Sequence, residues 1–204
     1  MEDLVARLLA SDEAFRSKTS SSSSSSSCFS YGTAGFRARG DTLSVVAFRC
    51  GILSGLRSLS HTYSNRDIKG VVVDPSTGLV LTASHNPVDD NGVKLVDADG
   101  GMLAMTWETH AERLVNAKNA EDFTEAVVAI LQIIQTNEEE EKKDEGNGIG
   151  KGRVFVARDT RPSGQRLLSF VIEGIQATGA TVVGSRDTLR TTPQLHWQVS
   201  TLIS

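Results

Sequence analysis

One stretch of the chain constrains its fold more than any other: two short apolar runs that flank a helical pattern. Val154–Ala157 is the first run, Ser163–Thr178 is the helical segment, and Ala180–Val183 is the second run. Apolar side chains in the helical segment recur every three or four residues, which places them on one face. Two short strands joined by a helix normally lie parallel, because the helix carries the chain back to the edge from which the next strand starts. The pattern therefore predicts a parallel β-α-β unit.

The rest of the chain repeats this alternation of helices and short strands. Helical spacing of apolar residues is present in four further segments: 1–16, 43–59, a segment that starts near Thr106, and 123–135. Strand-like apolar runs occur at 70–73 and 79–82, and residues 74–78 between them have turn chemistry. We expect a three-layer α/β/α fold in which helices cover a mostly parallel mixed sheet.

Two segments of biased composition interrupt this alternation. Ser20–Ser27 is eight consecutive serines, which bury no apolar surface, so we expect a flexible linker there. Residues 138–145 hold six acidic residues and two lysines, and a glycine-rich stretch follows, which indicates a solvated acidic loop over 138–152. These features divide the chain into an N-terminal helix with its linker (1–27), a main domain (28–197) and a short truncated tail (198–204).

Charge and composition argue against several classes of partner. The chain has 204 residues, with 21 basic against 25 acidic side chains and a net charge of −4, so no basic field favours nucleic acid. No apolar stretch is long enough to span a bilayer. We interpret Cys28 and Cys50 as free thiols in a reducing compartment. The N-terminal segment is acidic, which argues against a signal peptide. We therefore expect a cytosolic (cytoplasmic) protein with no membrane partner.

Three polar segments could carry chemistry. The first is Tyr31-Gly-Thr-Ala-Gly-Phe-Arg37. Two glycines three residues apart allow a backbone turn to approach a ligand closely, while Thr33 and Arg37 offer a hydroxyl and a planar cation. These groups suit a phosphate. A glycine-rich turn that carries an ordinary surface arginine is the alternative.

The second polar segment follows the apolar run at 79–82. It reads Leu81-Thr-Ala-Ser-His-Asn-Pro87, and five polar or glycine positions lie within 89–94. Ligands of open α/β sheets gather beyond the carboxyl ends of strands, and Ser84 and His85 lie at such an end. A simple turn at the strand end is the alternative.

The third polar segment is Arg158-Asp-Thr-Arg-Pro-Ser163, which follows one predicted strand and opens a helix. Pro162 suits the first turn of that helix. Two arginines beside a helix N-terminus would attract an anion. A capped helix start with surface charges explains the same residues.

Together these segments resemble the α-D-phosphohexomutase family. The residues that carry the resemblance are YGTAGFR, TASHNP with DNGVKLVD, RDTRPS and TTPQLHW, and they extend from about Tyr31 to Trp197. Within the family they are most similar to the members that act on N-acetylglucosamine phosphate. A member that acts on another sugar, such as a phosphoglucomutase, is the alternative, because the sugar-reading loop of the family is absent from the chain.

The resemblance implies the fold of the first domain of this family and an intramolecular phosphotransferase (isomerase) activity. The serine of TASHNP, here Ser84, would be carried as phosphoserine and would interconvert N-acetylglucosamine 6-phosphate and 1-phosphate, on the route to UDP-N-acetylglucosamine. Mg²⁺ would bind through the Ser84 phosphate. Further catalytic roles are implied for His85, Lys94 and Arg37. Substrate-binding roles are implied for Arg158, Arg161 and Asn91.

The chain also departs from the family pattern. Family members have four domains, and their metal-binding Asp-x-Asp-x-Asp loop is absent from this sequence. We therefore expect the main Mg²⁺ ligands in a domain that the chain lacks, and we expect the chain alone to be inactive on its hexosamine phosphate substrate. A non-catalytic fragment that binds a partner, such as the missing domains of a full-length mutase, is the alternative. Residues 71–78 look like an insertion relative to the family.

Overall fold

The computed structural model of the chain describes residues 1–19, 28–32, 35–60, 76–141 and 152–201. Within these ranges the elements in chain order are α1 (Glu2–Thr19), β1 (Phe36–Arg39), α2 (Ser44–Ser60), β2 (Ser76–Leu81), β3 (Asp90–Val96), α3 (Met105–Val115), α4 (Ala120–Glu141), β4 (Arg153–Arg158), α5 (Gly164–Thr178), β5 (Thr181–Val183) and α6 (Thr192–Ser200). None of the described helices is long and apolar enough to cross a membrane.

The strands form one mixed sheet in the order β1-β3-β2-β4-β5. β3 runs antiparallel to both β1 and β2, while β2–β4 and β4–β5 are parallel pairs. The unit formed by β4, α5 and β5 is the parallel β-α-β unit that the sequence predicts. The three-layer mixed α/β fold is confirmed, with two of the four strand pairings parallel.

Helices cover both faces of the sheet. α2 and α5 pack on one face, and α1, α3 and α4 pack around them, while α6 packs on β2 and β4 from the other face. All six residues of β2 are buried, because Leu79 and Leu81 face the larger core and Val80 faces the smaller core under α6. A strand covered on both faces is apolar throughout rather than alternating, and this explains the Leu79–Leu81 run.

Two glycines allow α2 and α5 to touch backbone to backbone. A Cβ atom on Gly174 would lie 2.0 Å from the carbonyl oxygen of Phe48, and one on Gly51 would lie 2.2 Å from that of Val171. Glycine normally weakens a helix, but here its lack of a side chain sets the distance between the two helices.

Several element boundaries differ from the sequence-based expectations. β2 begins at Ser76 and pairs with β4 from Arg153 onward, so residues 76–78 belong to the sheet and not to a turn. The predicted insertion over 71–78 stays a prediction. α4 continues to Glu141, so the predicted acidic loop cannot begin at 138. α6 extends to Ser200, beyond the predicted domain end at Trp197. The predicted strand at 70–73 and the serine tract at 20–27 lie outside the described residues.

The N-terminal helix is part of the main core. Leu8 and Phe15 of α1 are buried, and the Phe15 ring stacks on Phe48 of α2 at 4.2 Å between centroids. Asp12, which interrupts the apolar face of α1 in the sequence, is also buried. The prediction of a helix at 1–16 is confirmed, with an end at Thr19.

Candidate active site

The topology brings the second and third polar segments, together with Arg37 of the first, to one edge of the sheet. β1, β2 and β4 all end at this edge, and β3 starts there, because β3 alone among these four strands runs in the opposite direction. After β2 the chain continues into β3, which is the neighbour of β2 on one side, while β4 is its neighbour on the other side. An edge of this kind, where the strand order diverges, is where open α/β sheets bind ligands.

Ser84 lies at the tip of the Ser84 loop, which we define as residues 82–89 between β2 and β3. The Asn86 amide donates to the Ala83 carbonyl at 2.8 Å, which closes a turn with Ser84 and His85 at its centre. Both side chains are exposed. Among the residues that the structure describes, neither the Ser84 hydroxyl nor the His85 ring has a hydrogen-bond partner. Ser84 is therefore open to a ligand.

Two positive charges lie near each other on one face of the sheet, and one of them contacts this loop. Arg37 of β1 pairs in register with Gly92, so Lys94, two residues along β3, shares its face of the sheet. Arg37 Nη1 donates to Asn86 Oδ1 at 3.3 Å, which joins the arginine directly to the loop. Partial burial, and then repulsion from Arg37, lowers the pKa of Lys94 below its ordinary 10.5. Such a site favours an anion.

The glycines of the first segment form a turn that packs on the sheet. The Gly35 amide donates to the Gly32 carbonyl at 2.8 Å, and Gly35 has a φ of 77°. A Cβ atom on Gly35 would lie 2.1 Å from the carbonyl oxygen of Val93, so only glycine fits. Thr33 lies outside the described residues. Gly35 approaches the neighbouring strand closely, whereas a Cβ atom on Gly32 would meet open space. Among the described residues of this segment, Arg37 is the one that donates a hydrogen bond to the Ser84 loop.

Tyr31 anchors the same segment from within the core. Its side chain is buried, and its hydroxyl accepts a hydrogen bond from the Leu95 amide at 3.0 Å. Burial raises the pKa of the Tyr31 phenol well above its ordinary value. The phenol therefore stays neutral and supports β3 beside the site.

Asn91 does not face a ligand. Its side chain is completely buried, its Nδ2 donates to Ser163 Oγ at 2.9 Å, and its Oδ1 accepts from the Gly92 amide at 2.8 Å. The expectation that Asn91 contacts substrate is therefore corrected, because β3 turns this side chain to the face that α5 covers. Asn91 ties β3 to the start of α5.

The two arginines of RDTRPS contact backbone carbonyls of the protein. Arg158 donates from Nε to the Arg186 carbonyl at 2.7 Å and from Nη1 to the Asp159 carbonyl at 3.0 Å. Arg161 lies behind the Ser84 loop, with its side chain 11% exposed, and donates to several of its carbonyls. In this arrangement both guanidiniums shape loops at the edge of the sheet.

Sequence reasoning missed Asp159. Its Oδ2 accepts from Thr82 Oγ1 at 2.9 Å, and its amide donates to the Leu81 carbonyl at 2.9 Å, so it joins the ends of β2 and β4. Its Oδ1 accepts from the Arg161 amide at 3.0 Å, two residues on. That is the geometry of an Asx turn, and an aspartate just after a strand is a signal that could have identified it.

The described residues do not form a magnesium site of their own. Within the described ranges, no cluster of three histidine, cysteine, aspartate or glutamate side chains could hold a metal ion. Asp90, near Ser84, uses Oδ2 to accept from Asn86 Nδ2 at 3.1 Å. A phosphate carried on Ser84 would offer oxygen atoms to a cation, but these residues alone do not supply a coordination shell.

Comparison with known proteins identifies the family. The family model of the phosphoglucomutase/phosphomannomutase alpha/beta/alpha domain I matches residues 60–123 and 115–203. The chain belongs to this family. Its five-stranded mixed sheet is accordingly the sheet of a phosphoglucomutase/phosphomannomutase domain I, and the Ser84 loop lies at the carboxyl edge of that sheet.

Two of the curated relatives of this chain are phosphoacetylglucosamine mutases. It is 44% identical over 171 residues to the phosphoacetylglucosamine mutase of Oryza sativa subsp. japonica, covering 84% of this chain and 27% of the relative. It is 42% identical over 169 residues to that of Sus scrofa, covering 83% of this chain and 27% of the relative. The chain thus spans about a quarter of the length of the curated relatives it matches.

Solved structures agree with these relatives. An Aspergillus fumigatus N-acetylphosphoglucosamine mutase, as a serine-to-alanine variant in complex with glucose 1,6-bisphosphate, matches with a TM-score of 0.74 at 31% identity, covering 97% of this chain and 31% of that chain. The same enzyme in complex with GlcNAc-6P and magnesium matches with a TM-score of 0.68 at 35% identity, covering 93% of this chain and 30% of that chain.

Proposed function

We propose that this chain is the phosphoserine-bearing domain of a phosphoacetylglucosamine mutase, with Ser84 as the residue that carries the phosphoryl group. The observation that carries the proposal is the exposed Ser84 hydroxyl, which has no hydrogen-bond partner among the described residues and lies at the centre of a tight turn that Arg37 contacts. The names of the curated relatives and the ligands of the matched structures support an N-acetylglucosamine phosphate as the substrate.

The reaction requires these residues to stabilise the transferred phosphoryl group and to move a proton. When phospho-Ser84 reacts, the bond between phosphorus and Ser84 Oγ breaks and a bond from phosphorus to a sugar hydroxyl oxygen forms. The sugar hydroxyl loses its proton to a nearby base, and Ser84 Oγ takes up a proton and becomes a hydroxyl again. In the second half the other phosphate of the bisphosphate intermediate returns to Ser84 Oγ. Phosphoryl transfer asks mainly for positioning and charge neutralisation, so Arg37 would stabilise the phosphoryl oxygens.

Lys94 and His85 are the proposed groups for proton transfer. The lowered pKa of Lys94 gives it a larger neutral fraction than an ordinary lysine, which suits a base. His85 is exposed beside Ser84 and would approach the same sugar oxygen. Mg²⁺ would counter the charge of the Ser84 phosphate, although the described residues of this chain supply no cluster of ligands for it.

We propose that the chain alone accepts a phosphoryl group but does not complete the cycle. It spans 27% of the length of the Oryza sativa relative, so most of that enzyme has no counterpart in the part that matches this chain. Arg37, in contrast, belongs to this chain and contacts the Ser84 loop, and Lys94 lies on the same face of the sheet as Arg37. Phosphorylation of Ser84, which we call charging, and turnover of the sugar phosphate are therefore separate properties.

Phosphorylation by glucose 1,6-bisphosphate tests the proposal. The purified chain is incubated with this compound and Mg²⁺, and intact mass and peptide mapping are compared for the wild type, Ser84→Ala and Ser185→Ala. We expect one phosphate on Ser84 in the wild type and in Ser185→Ala, and none in Ser84→Ala. A folded wild-type chain that stays unmodified, or a phosphate on another serine, would contradict the proposal and favour a non-catalytic fragment.

A further inference from the structure

We propose that Arg161 is a positioning residue that holds the Ser84 loop in shape, and that it is not a ligand for the phosphate of the substrate. The proposal rests on the proposed function only in taking Ser84 as the phosphoryl acceptor. The geometry of the Ser84 loop, from which the role of Arg161 is inferred, is independent of that activity.

The guanidinium of Arg161 is surrounded by the backbone of one loop. Nη1 donates to the carbonyl oxygens of Pro87 and Asp90, the latter at 2.9 Å. Nη2 donates to the carbonyl oxygens of Ala83 and Asn86, the latter at 2.9 Å. Four carbonyls that lie within eight consecutive residues thus converge on one side chain.

The third nitrogen of the guanidinium faces a carboxylate. Nε lies 3.3 Å from Oδ2 of Asp159, and the Arg161 side chain is only 11% exposed. A guanidinium has five N–H groups in a fixed planar fork. Because Nη1 and Nη2 already make four hydrogen bonds to carbonyls and Nε is paired with a carboxylate, a phosphate could bind the guanidinium only if one of these contacts broke.

The same carbonyls define the turns that present Ser84. The Ala83 carbonyl also accepts from the Asn86 amide at 2.8 Å, and the Pro87 carbonyl also accepts from the Asp90 amide at 3.1 Å. Carbonyl dipoles that point toward one another repel unless a cation or donor lies between them. Arg161 supplies that charge, so its removal should open both turns.

The position of Arg161 is in turn set from the sheet. Asp159 Oδ1 accepts from the Arg161 amide at 3.0 Å, while Asp159 Oδ2 accepts from Thr82 Oγ1 at 2.9 Å. The start of the Ser84 loop and the arginine behind it therefore share one carboxylate. A lysine at 161 would be a poor substitute, because its ammonium has three N–H groups and no planar fork.

Amide hydrogen exchange of the full 204-residue chain, measured by NMR, tests the role of Arg161 without any activity. In Arg161→Met we expect the amides of Asn86 and Asp90 to exchange about tenfold faster or more, with the amides of Ile52 and Leu53 unchanged, since local opening leaves the core intact. Arg161→Lys should give a smaller acceleration.

Arg158→Met is the matched control, because Arg158 also donates to carbonyls but holds a different loop through Arg186. We expect this variant to leave the exchange of Asn86 and Asp90 within about threefold of the wild type. Unchanged exchange of Asn86 and Asp90 in a folded Arg161→Met or Arg161→Lys chain would overturn the proposal. If the amides of Ile52 and Leu53 also exchange faster in Arg161→Met, the core of that variant is no longer intact. The test then rests on the exchange rates measured in Arg161→Lys.

The charging experiment separates this proposal from the proposed function. If the wild type is not phosphorylated by glucose 1,6-bisphosphate, the proposed function fails, while the exchange experiment still judges Arg161. If the wild type is phosphorylated, Arg161→Met should lower the rate of charging at saturating bisphosphate more than it raises the concentration needed for half-maximal rate. A larger effect on the half-maximal concentration than on the rate at saturation would identify Arg161 as a phosphate ligand and overturn the proposal.

Discussion

Arg49 on α2 and Asp12 on α1 form a buried ion pair with two parallel hydrogen bonds. Arg49 Nε and Nη2 each lie 2.8 Å from one carboxylate oxygen of Asp12, and both side chains are 1% exposed. Arg49 Nη1 also donates to three carbonyls at the end of α3 and beyond it: Leu114, Val115 and Ala117. One side chain therefore holds α1 and the end of α3 against α2.

Removal of Asp12 should be strongly destabilising. Asp12→Ala leaves the Arg49 charge buried without its counter-ion, and we expect a loss of about 3–5 kcal/mol in the free energy of unfolding. Urea unfolding measures the loss. Glu173→Gln is the control, because the ion pair between Glu173 and Lys18 is exposed. We expect this variant to change the free energy of unfolding by about 0–1 kcal/mol.

The paired charges can also be removed together. In Asp12→Leu combined with Arg49→Met no unpaired charge remains, and we expect the double variant to be more stable than Asp12→Ala. A loss below about 1 kcal/mol in Asp12→Ala would show that the ion pair does not hold α1 in place.

The contact between α2 and α5 predicts an unfavourable alanine substitution. Alanine normally stabilises a helix relative to glycine, but a Cβ atom on Gly174 would meet the Phe48 carbonyl at 2.0 Å. We expect Gly174→Ala to lower the free energy of unfolding by about 1–3 kcal/mol, because the two helices must separate. Gln176→Ala, at an exposed position of the same helix, should change it by less than about 0.5 kcal/mol. Equal urea midpoints for the two variants would contradict the close backbone contact.

The pKa of Lys94 should respond to Arg37. Burial and the Arg37 charge both lower the pKa of Lys94 from 10.5, with burial the larger cause. In Arg37→Met we expect the pKa of Lys94 to rise but to remain below 10.5, as seen in an NMR titration of the lysine side chain. Arg153→Met, on the distant end of β4, is the control and should leave the titration unchanged. An unchanged titration in Arg37→Met would show that the two cations do not interact.

The same shift has a consequence for stability. A lysine whose pKa is lower in the folded chain binds fewer protons there than in the unfolded chain, between the lowered value and 10.5. Stability contributed by this group therefore rises with pH across that window. The effect should be weaker in Arg37→Met, and urea midpoints measured at several pH values within the window check it.

Strong periodicity made some elements predictable. The unit of β4, α5 and β5 could be predicted because buried parallel strands are short apolar runs and α5 has a continuous apolar face. β1 and β3 were missed, because an edge strand and its neighbour at a polar site carry charged residues where a core strand would be apolar. Only the pairing of β3 with β2 and β1 makes these segments strands.

The sequence by itself determined which chemistry is available: a serine at the end of a strand, and arginines in glycine-rich and helix-opening segments. Tertiary structure decided which of these groups lies at the open edge of the sheet. Ser84 and Arg37 lie at the open edge, whereas Asn91 is buried and Arg161 is occupied by carbonyls. Those carbonyls lie more than 70 positions from Arg161 in the chain, and local patterns carry no information about hydrogen bonds over that separation.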